Sequence, residues 1–249
     1  MNYVILTGAS SGIGLATAKK LLQKGYHVLA VSRHKNKALI QHAGSQSGAI
    51  EYLEFDLSQT DQIQHFMERV FTKIDSSKAA SIHLINNAGV LEPVKMMQDT
   101  NPEEYKKSLS VNLVAPMALI SEFLKHTADL DINKRIINIS SGAGQHPYAG
   151  WAAYCTSKAG LDMITQVVAT EQSKAKYPAQ IVSFAPGVVA TSMQKLIRSK
   201  SKDEFPRVER FKALHKNQQL LDPAIVATKI TDLLEQTGFP DGQKIDIRD

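Results

Sequence analysis

A single cysteine, Cys155, stands among the 249 residues of this chain. That excludes an intrachain disulfide and any zinc cluster built on cysteine thiolates, and it agrees with a reducing compartment. No apolar run approaches the ~18 residues that a membrane-crossing helix requires. Residues 1–8 read as a strand, without the basic start and apolar core of a secretion signal, so the expected location is cytoplasmic with no membrane partner. Aromatic residues are sparse at 6%, and they do not alternate with basic residues as in single-strand nucleic-acid binders. Nucleic acid is therefore not the expected partner, although the net charge is +5 and residues 195–216 hold eight basic against three acidic side chains. Linkers and internal repeats are also missing, and a 43% hydrophobic content suits one undivided domain over residues 1–249.

The most informative absence is acidic. No Asp or Glu precedes Glu51, whereas six Lys or Arg fall within the first fifty residues. In that stretch an apolar run at 3–6 breaks into Gly8, Gly12 and Gly14, and the helical pattern Ile13, Ala16, Leu21, Leu22 follows. Such a turn lets backbone come close to a pyrophosphate resting on a helix N-terminus. Ser10 and Ser11 add hydroxyls, and the spacing is GxxxGxG in place of GxGxxG. An NAD site usually sets a carboxylate about twenty residues past the glycines, on the ribose 2′-hydroxyl. Here that count leads from Gly12 to Ser32 and then Arg33. A guanidinium fork matches phosphate, so the expected cofactor is NADPH/NADP with Arg33 on the 2′-phosphate.

Strand-like runs recur at 3–6, 27–32, 50–55, 82–86, 135–140, 180–185 and 244–247, with helical patterns between them. This alternation predicts an α/β fold: a single-domain, doubly wound Rossmann arrangement with a mostly parallel seven-stranded sheet and helices on both faces. Ligands in such sheets gather beyond the carboxyl ends of the strands. The distinctive residues fall there: Gly8, Arg33, Asp56, Asn87 to Gly89, Ser141, and Pro186 to Thr191.

Tyr154 and Lys158 are four residues apart, thirteen residues beyond Ser141. On a helix that spacing shares one face. A neighbouring ammonium favours the phenolate, so Lys158, helped by an oxidised nicotinamide, is expected to bring the Tyr154 pKa down from about 10 toward neutrality. Cys155 is turned away around the helix and reads as packing.

TGASSGIG at 7–14, Asp56 with Leu57, NNAG at 86–89, Asn112, ISSGAG at 139–144, YCTSK at 154–158 and APGVVATSM at 185–193 together resemble the short-chain dehydrogenases/reductases over essentially the whole chain. The resemblance implies that Ser141 hydrogen-bonds a substrate carbonyl, Tyr154 protonates it, Lys158 holds the nicotinamide ribose, and Asn112 supports a water relay. It places Asp56 and Leu57 at the adenine and Asn87, Ala88 and Gly89 along the cofactor. Pro186, Gly187, Val189, Thr191 and Met193 would lie around the nicotinamide. Ser140 could act in place of Ser141, Asn112 could cap or kink its helix, and Thr191 could be an N-cap.

The segment 193–221, with Leu196, Ile197, Phe205, Val208, Phe211 and Leu214, reads as a lid whose apolar side faces the pocket, or as an amphipathic surface helix. Tyr148 and Trp151 supply aromatic wall near Tyr154, suited to a planar ketone. The block 147–163, the lid and the tail GQKIDIRD resemble sepiapterin reductases and, more closely, bacterial benzil reductases. That resemblance implies NADPH-driven reduction of a ketone beside a second carbonyl, with Asp246 where sepiapterin reductases anchor a pterin. It also implies a homodimer formed through the helices at 109–125 and 152–173. A non-catalytic NADP-binding sensor is the alternative of another class, and the joint presence of Ser141, Tyr154, Lys158 and Asn112 argues against it.

Overall fold

A computed structural model describes residues 1–249. Seven strands form one sheet: β1 (Asn2–Thr7), β2 (His27–Ser32), β3 (Ala49–Glu54), β4 (Ser81–Asn86), β5 (Asn133–Ile139), β6 (Gln180–Ala185) and β7 (Lys244–Asp246). Their order is β3-β2-β1-β4-β5-β6-β7, and every pairing is parallel. Strand order reverses between β1 and β4, which opens the crevice where such sheets take ligands.

The helices are α1 (Gly12–Gln23), α2 (Lys37–Ala43), α3 (Ile63–Phe71), α4 (Pro102–Leu109), α5 (Ala115–Thr127), α6 (Ala152–Gln172), α7 (Ser192–Arg198), α8 (Val208–Lys216) and α9 (Pro223–Glu235). Alternation along the strands sorts the core into two layers. Val4 and Leu6 of β1 face Leu21 of α1, Leu39 of α2 and Ile230 of α9. Tyr3 and Ile5 face Phe66 of α3, Leu119 of α5 and Val168 of α6. No helix is long and apolar enough to cross a membrane.

The helix expected at 109–125 is interrupted around Asn112, where a kink was the alternative. Residues Ser110–Val114 form a π turn between α4 and α5. Two causes are visible. Pro116 has no N–H to give the Asn112 carbonyl four residues earlier, and the Asn112 side chain is bound sideways to another segment, described below. Helix starts elsewhere follow local chemistry. Asn36 accepts from Leu39 N at 2.9 Å ahead of α2, and Asn101 and Glu104 form a capping box ahead of α4.

Gly14 lets α1 approach the end of β1. A Cβ there would stand 2.1 Å from the Gly8 carbonyl oxygen and 2.5 Å from Asn87 Nδ2. Gly14→Ala is therefore expected to cost about 3 kcal/mol or more in urea unfolding, at the upper end of overpacking penalties. A loss below about 0.5 kcal/mol would show that the helix can retreat without strain.

Candidate active site

The carboxyl ends of the strands surround one cavity of about 780 Å³. Its floor is the turn from β1 into α1, where Gly8 (φ +70°) and Gly12 (φ +54°) take left-handed conformations that favour glycine. Ser10, Ser11 and Ile13 complete the turn. Asn87 braces it: Nδ2 donates to the Thr7 carbonyl at 2.9 Å and the Gly8 carbonyl at 3.3 Å. Thr7 Oγ1 accepts from the backbone N–H groups of Asn87 and Ala88, each at 3.0 Å. Thr7 and Asn36, whose Nδ2 donates to the Ser10 carbonyl at 2.9 Å, were not singled out from the sequence. Their types suited a strand end and a helix cap, and only the fold brings them to the loop.

Arg33 lies exposed at the cavity edge beyond β2, with His34 beside it and no carboxylate in ion-pairing range. Asp56 lines the cavity beyond the neighbouring strand, β3. Its carboxyl is held below the usual range chiefly by the Ser58 backbone N–H at 2.9 Å, with Arg33 contributing in the same direction. Leu57, Ala88, Gly89, Pro186 and Gly187 also line the cavity, as do Val189, Thr191 and Met193. Thr191 occupies the N-cap position of α7 but makes no side-chain cap bond; its methyl lies 3.2 Å from where a Gly12 Cβ would be.

Tyr154 and Lys158 share the inward face of α6, and Ser141 follows β5 by two residues. Lys158 Nζ donates to the Ile139 carbonyl at 2.8 Å and lies 5.7 Å from the Tyr154 ring centroid. Ser141 lies close enough to Tyr154 to draw its pKa down somewhat, and its Oγ accepts from Ala143 N at 3.1 Å. Ser140 lines the cavity as well, with its Oγ buried and unpartnered in the protein.

The expected acidification of Tyr154 counts on a bound nicotinamide as well as on Lys158, and the protein's own groups act in the other direction. Burial pushes its pKa up to about 12, and Ser141 only partly opposes that. The ammonium one turn away is held by a carbonyl at some distance from the phenol, so loss of water outweighs it. Lys158 itself is pushed down to about 8 by burial, against the pull of Asp162. Asp162, a further turn along α6, is buried and accepts from Ser183 Oγ at 2.5 Å. Its spacing from Lys158 repeats that of Tyr154, a signal already present in the sequence.

Asn112 does not reach the cavity surface. Its Oδ1 accepts from Val90 N at 2.8 Å and its Nδ2 donates to the Val90 carbonyl at 2.7 Å, which ties the π turn to the segment after β4. Both ends of the side chain are engaged, leaving the main-chain carbonyl as the group free of its α-helical donor. Gly14 is likewise behind the cavity wall.

The lid reading holds for part of its residues. Ile197, Phe211 and Leu214 line the cavity together with Gln194 and Arg210, which were not foreseen. Phe205 and Val208 instead lie fully buried beneath the lid, Phe205 stacked on Trp151 at 4.5 Å and 3°. Leu196 does not line the cavity either. The lid is pinned at its base, where Ala190 N donates to the Leu221 carbonyl and Leu221 N to the Val188 carbonyl, each at 2.9 Å. Asp246 reaches the cavity, but Arg248 grips both its oxygens at 2.6 Å. A ligand would have to displace that guanidinium to use the carboxylate.

The description short chain dehydrogenase matches residues 2–202. The chain belongs to the short-chain dehydrogenase family. It is 44% identical to a benzil reductase ((S)-benzoin forming) of Bacillus cereus, over 99% of each chain. Identity to a sepiapterin reductase of Meriones unguiculatus is 31%, over 98% of this chain and 95% of that one. Among solved members of this fold, ElxO with NADP bound superposes with a TM-score of 0.81 at 26% identity, covering 99% of this chain and 96% of that one.

Within this short-chain dehydrogenase the Lys158 titration has a measurable sign. Its folded pKa of about 8 lies below the ordinary 10.5, so between those values the unfolded chain binds more protons and stability rises with pH. The wild type is expected to gain about 3 kcal/mol relative to Lys158→Met from pH 8 to 10.5, measured by urea unfolding. An unchanging difference across that window would mean that the ammonium is not desolvated.

Proposed function

We propose that the chain is an NADPH-dependent carbonyl reductase that transfers hydride to one ketone of a vicinal diketone, as from benzil to (S)-benzoin, with Tyr154 as proton donor. One observation carries the reading: Tyr154, buried beside Ser141 and Lys158, lines the same cavity as the Gly8–Gly12 turn. The resemblance in sequence to benzil reductases supports the substrate class.

The residues present fit a dinucleotide phosphate. Gly8 and Gly12 leave a backbone cradle at the start of α1, and a side chain on Gly8 would collide with Asn87 Nδ2 at 2.8 Å. Arg33, without an acid near it in sequence, suits a 2′-phosphate. The cofactor, when bound, supplies the hydride. Ser141 and Tyr154 orient the ketone oxygen and place two hydroxyl donors where negative charge grows during reduction. A Tyr154 pKa near 12 keeps its proton on at neutral pH, and an alkoxide is basic enough to take it. Lys158 then stabilises the phenolate left behind. In the water relay that the family resemblance implies, the Asn112 main-chain carbonyl, which lacks its α-helical donor, would hold a water that returns the proton through Lys158. The aromatic and aliphatic wall of Trp151, Phe211 and Ile197 excludes bulk water and accepts flat, apolar substituents.

Sepiapterin reduction is the second reading, favoured by Asp246 in the cavity wall and opposed by its occupation by Arg248. The comparison to make is NADPH oxidation with benzil, sepiapterin and simple ketones, in wild type, Asp246→Ala and Tyr154→Phe. Benzil should give the highest kcat/KM, and Tyr154→Phe should lower turnover about 10²–10⁴-fold. Near-normal turnover in that variant removes Tyr154 as donor. NADPH bound without turnover of any ketone would favour the non-catalytic sensor. Arg33→Asp should shift the NADPH to NADH preference at least about tenfold, the loss of one charge-assisted phosphate contact.

A homodimer is part of the same proposal. Val114 and Met117 beside α5, and Met163 and Val167 on α6, are exposed apolar side chains on adjoining helices, an arrangement suited to a second copy of this chain. Met163→Glu should yield monomers by light scattering, and an unaltered mass would move the contact elsewhere.

A further inference from the structure

Polar atoms buried without a partner cost free energy, which a ligand can return by pairing with them. Three such atoms belong to residues lining the cavity: Ser140 Oγ, Trp151 Nε1 and Gln194 Oε1. Trp151 and Gln194 are 4% and 3% exposed, so water in bulk does not satisfy them. Their chemistry is fixed. An indole nitrogen can only donate. Gln194 Nε2 donates to the Phe211 carbonyl at 3.3 Å, which orients its amide and leaves Oε1 as an acceptor.

The two side chains flank the same lid residue. Trp151 has its ring 5.6 Å from that of Phe211, and the Gln194 amide is bonded to the Phe211 backbone. Trp151 also meets Tyr154 edge-on, at 5.7 Å between rings. The donor and the acceptor are thus linked through Phe211, and the ring that carries the donor packs against that of Tyr154. The stack on Phe205 and the contact with Phe211 hold the indole in place.

We propose that Trp151 N–H and the Gln194 side-chain carbonyl form a two-point subsite for the carbon next to the reacting ketone. Trp151 takes an oxygen on that carbon, and Gln194 accepts from an O–H. The ligand class is a ketone bearing oxygen on its neighbouring carbon: a second carbonyl engages Trp151 alone, and an α-hydroxyl engages both. A ketone with a plain methylene there leaves both polar atoms buried and unpaired, the arrangement from which enzymes draw their largest discrimination. This rests on the reductase reading and deepens it.

Three probes on one skeleton test it: deoxybenzoin (methylene), benzil (carbonyl) and benzoin (hydroxyl). Trp151→Phe keeps the ring stack and removes the N–H; it should lower kcat/KM for benzil about tenfold more than for deoxybenzoin. Gln194→Leu should weaken binding of benzoin about tenfold more than of deoxybenzoin. Trp151 is the single tryptophan of the chain, so one indole N–H resonance in a ¹H–¹⁵N spectrum of the NADP-saturated protein reports the contact directly. It should move downfield with benzil and with benzoin and remain in place with deoxybenzoin. Equal losses on benzil and deoxybenzoin, or bound benzil without a shift of that resonance, overturn the subsite. A shift with benzil but no NADPH oxidation by any ketone sinks the reductase reading and leaves the subsite standing; no binding by any of the three overturns the subsite.

Discussion

The Lys158 ammonium, buried and held by the Ile139 carbonyl at 2.8 Å, is the contact on which the site geometry depends. A buried cation needs a fixed partner, and this one sits at the last residue of β5. The bond therefore sets the rotation and height of α6 against the sheet. Tyr154 is one turn away on that helix, and Ser141 is two residues beyond Ile139 on the chain leaving β5. Two hydroxyl-bearing residues from different elements thus line one cavity because a third residue joins the elements. Asp162, bonded to Ser183 of β6, repeats the arrangement one turn farther on and anchors the same helix to the next strand.

The cavity divides by origin. Loops after β1, β2, β3 and β4 form the side with the glycine turn, Arg33 and Asp56, where backbone groups and charge predominate. The side formed by α7, α8 and the aromatic cluster around Trp151 is apolar with a few buried polar atoms. Tyr154 stands at the boundary and belongs to both. That position explains its titration: the apolar side removes water from the phenol, while the polar side offers only Ser141 in return.

Much of this was legible in the sequence, and the failures have physical causes. The alternation of apolar runs located all seven strands within a residue or two, since a strand buried on both faces leaves a continuous apolar record. Gly8 and Gly12 were legible because few residues tolerate positive φ there. The π turn at Ser110–Val114 was legible only as a possible kink at Asn112; its form was not, because the sideways pull of Asn112 on Val90 joins segments 22 residues apart. The desolvation of Tyr154 was not legible, because spacing on a helix reports which charges are near and says nothing of how much water remains. The pairing of Asp246 with Arg248 was not in view, because Arg248 folds back onto it only once the tail is in position. Phe205 and Val208 share the lid's apolar pattern with Phe211, and periodicity alone does not tell a residue that faces a ligand from one that roots the segment.

The paired bonds between Leu221 and the residues Val188 and Ala190 close residues 190–221 into a loop whose two ends meet on the sheet side of the cavity. Within that loop, chain length and sequence can vary while the entry and exit points stay fixed. The whole stretch can therefore be exchanged as a cassette, reshaping the lid side of the cavity while the contact of Lys158 with the end of β5 stays in place.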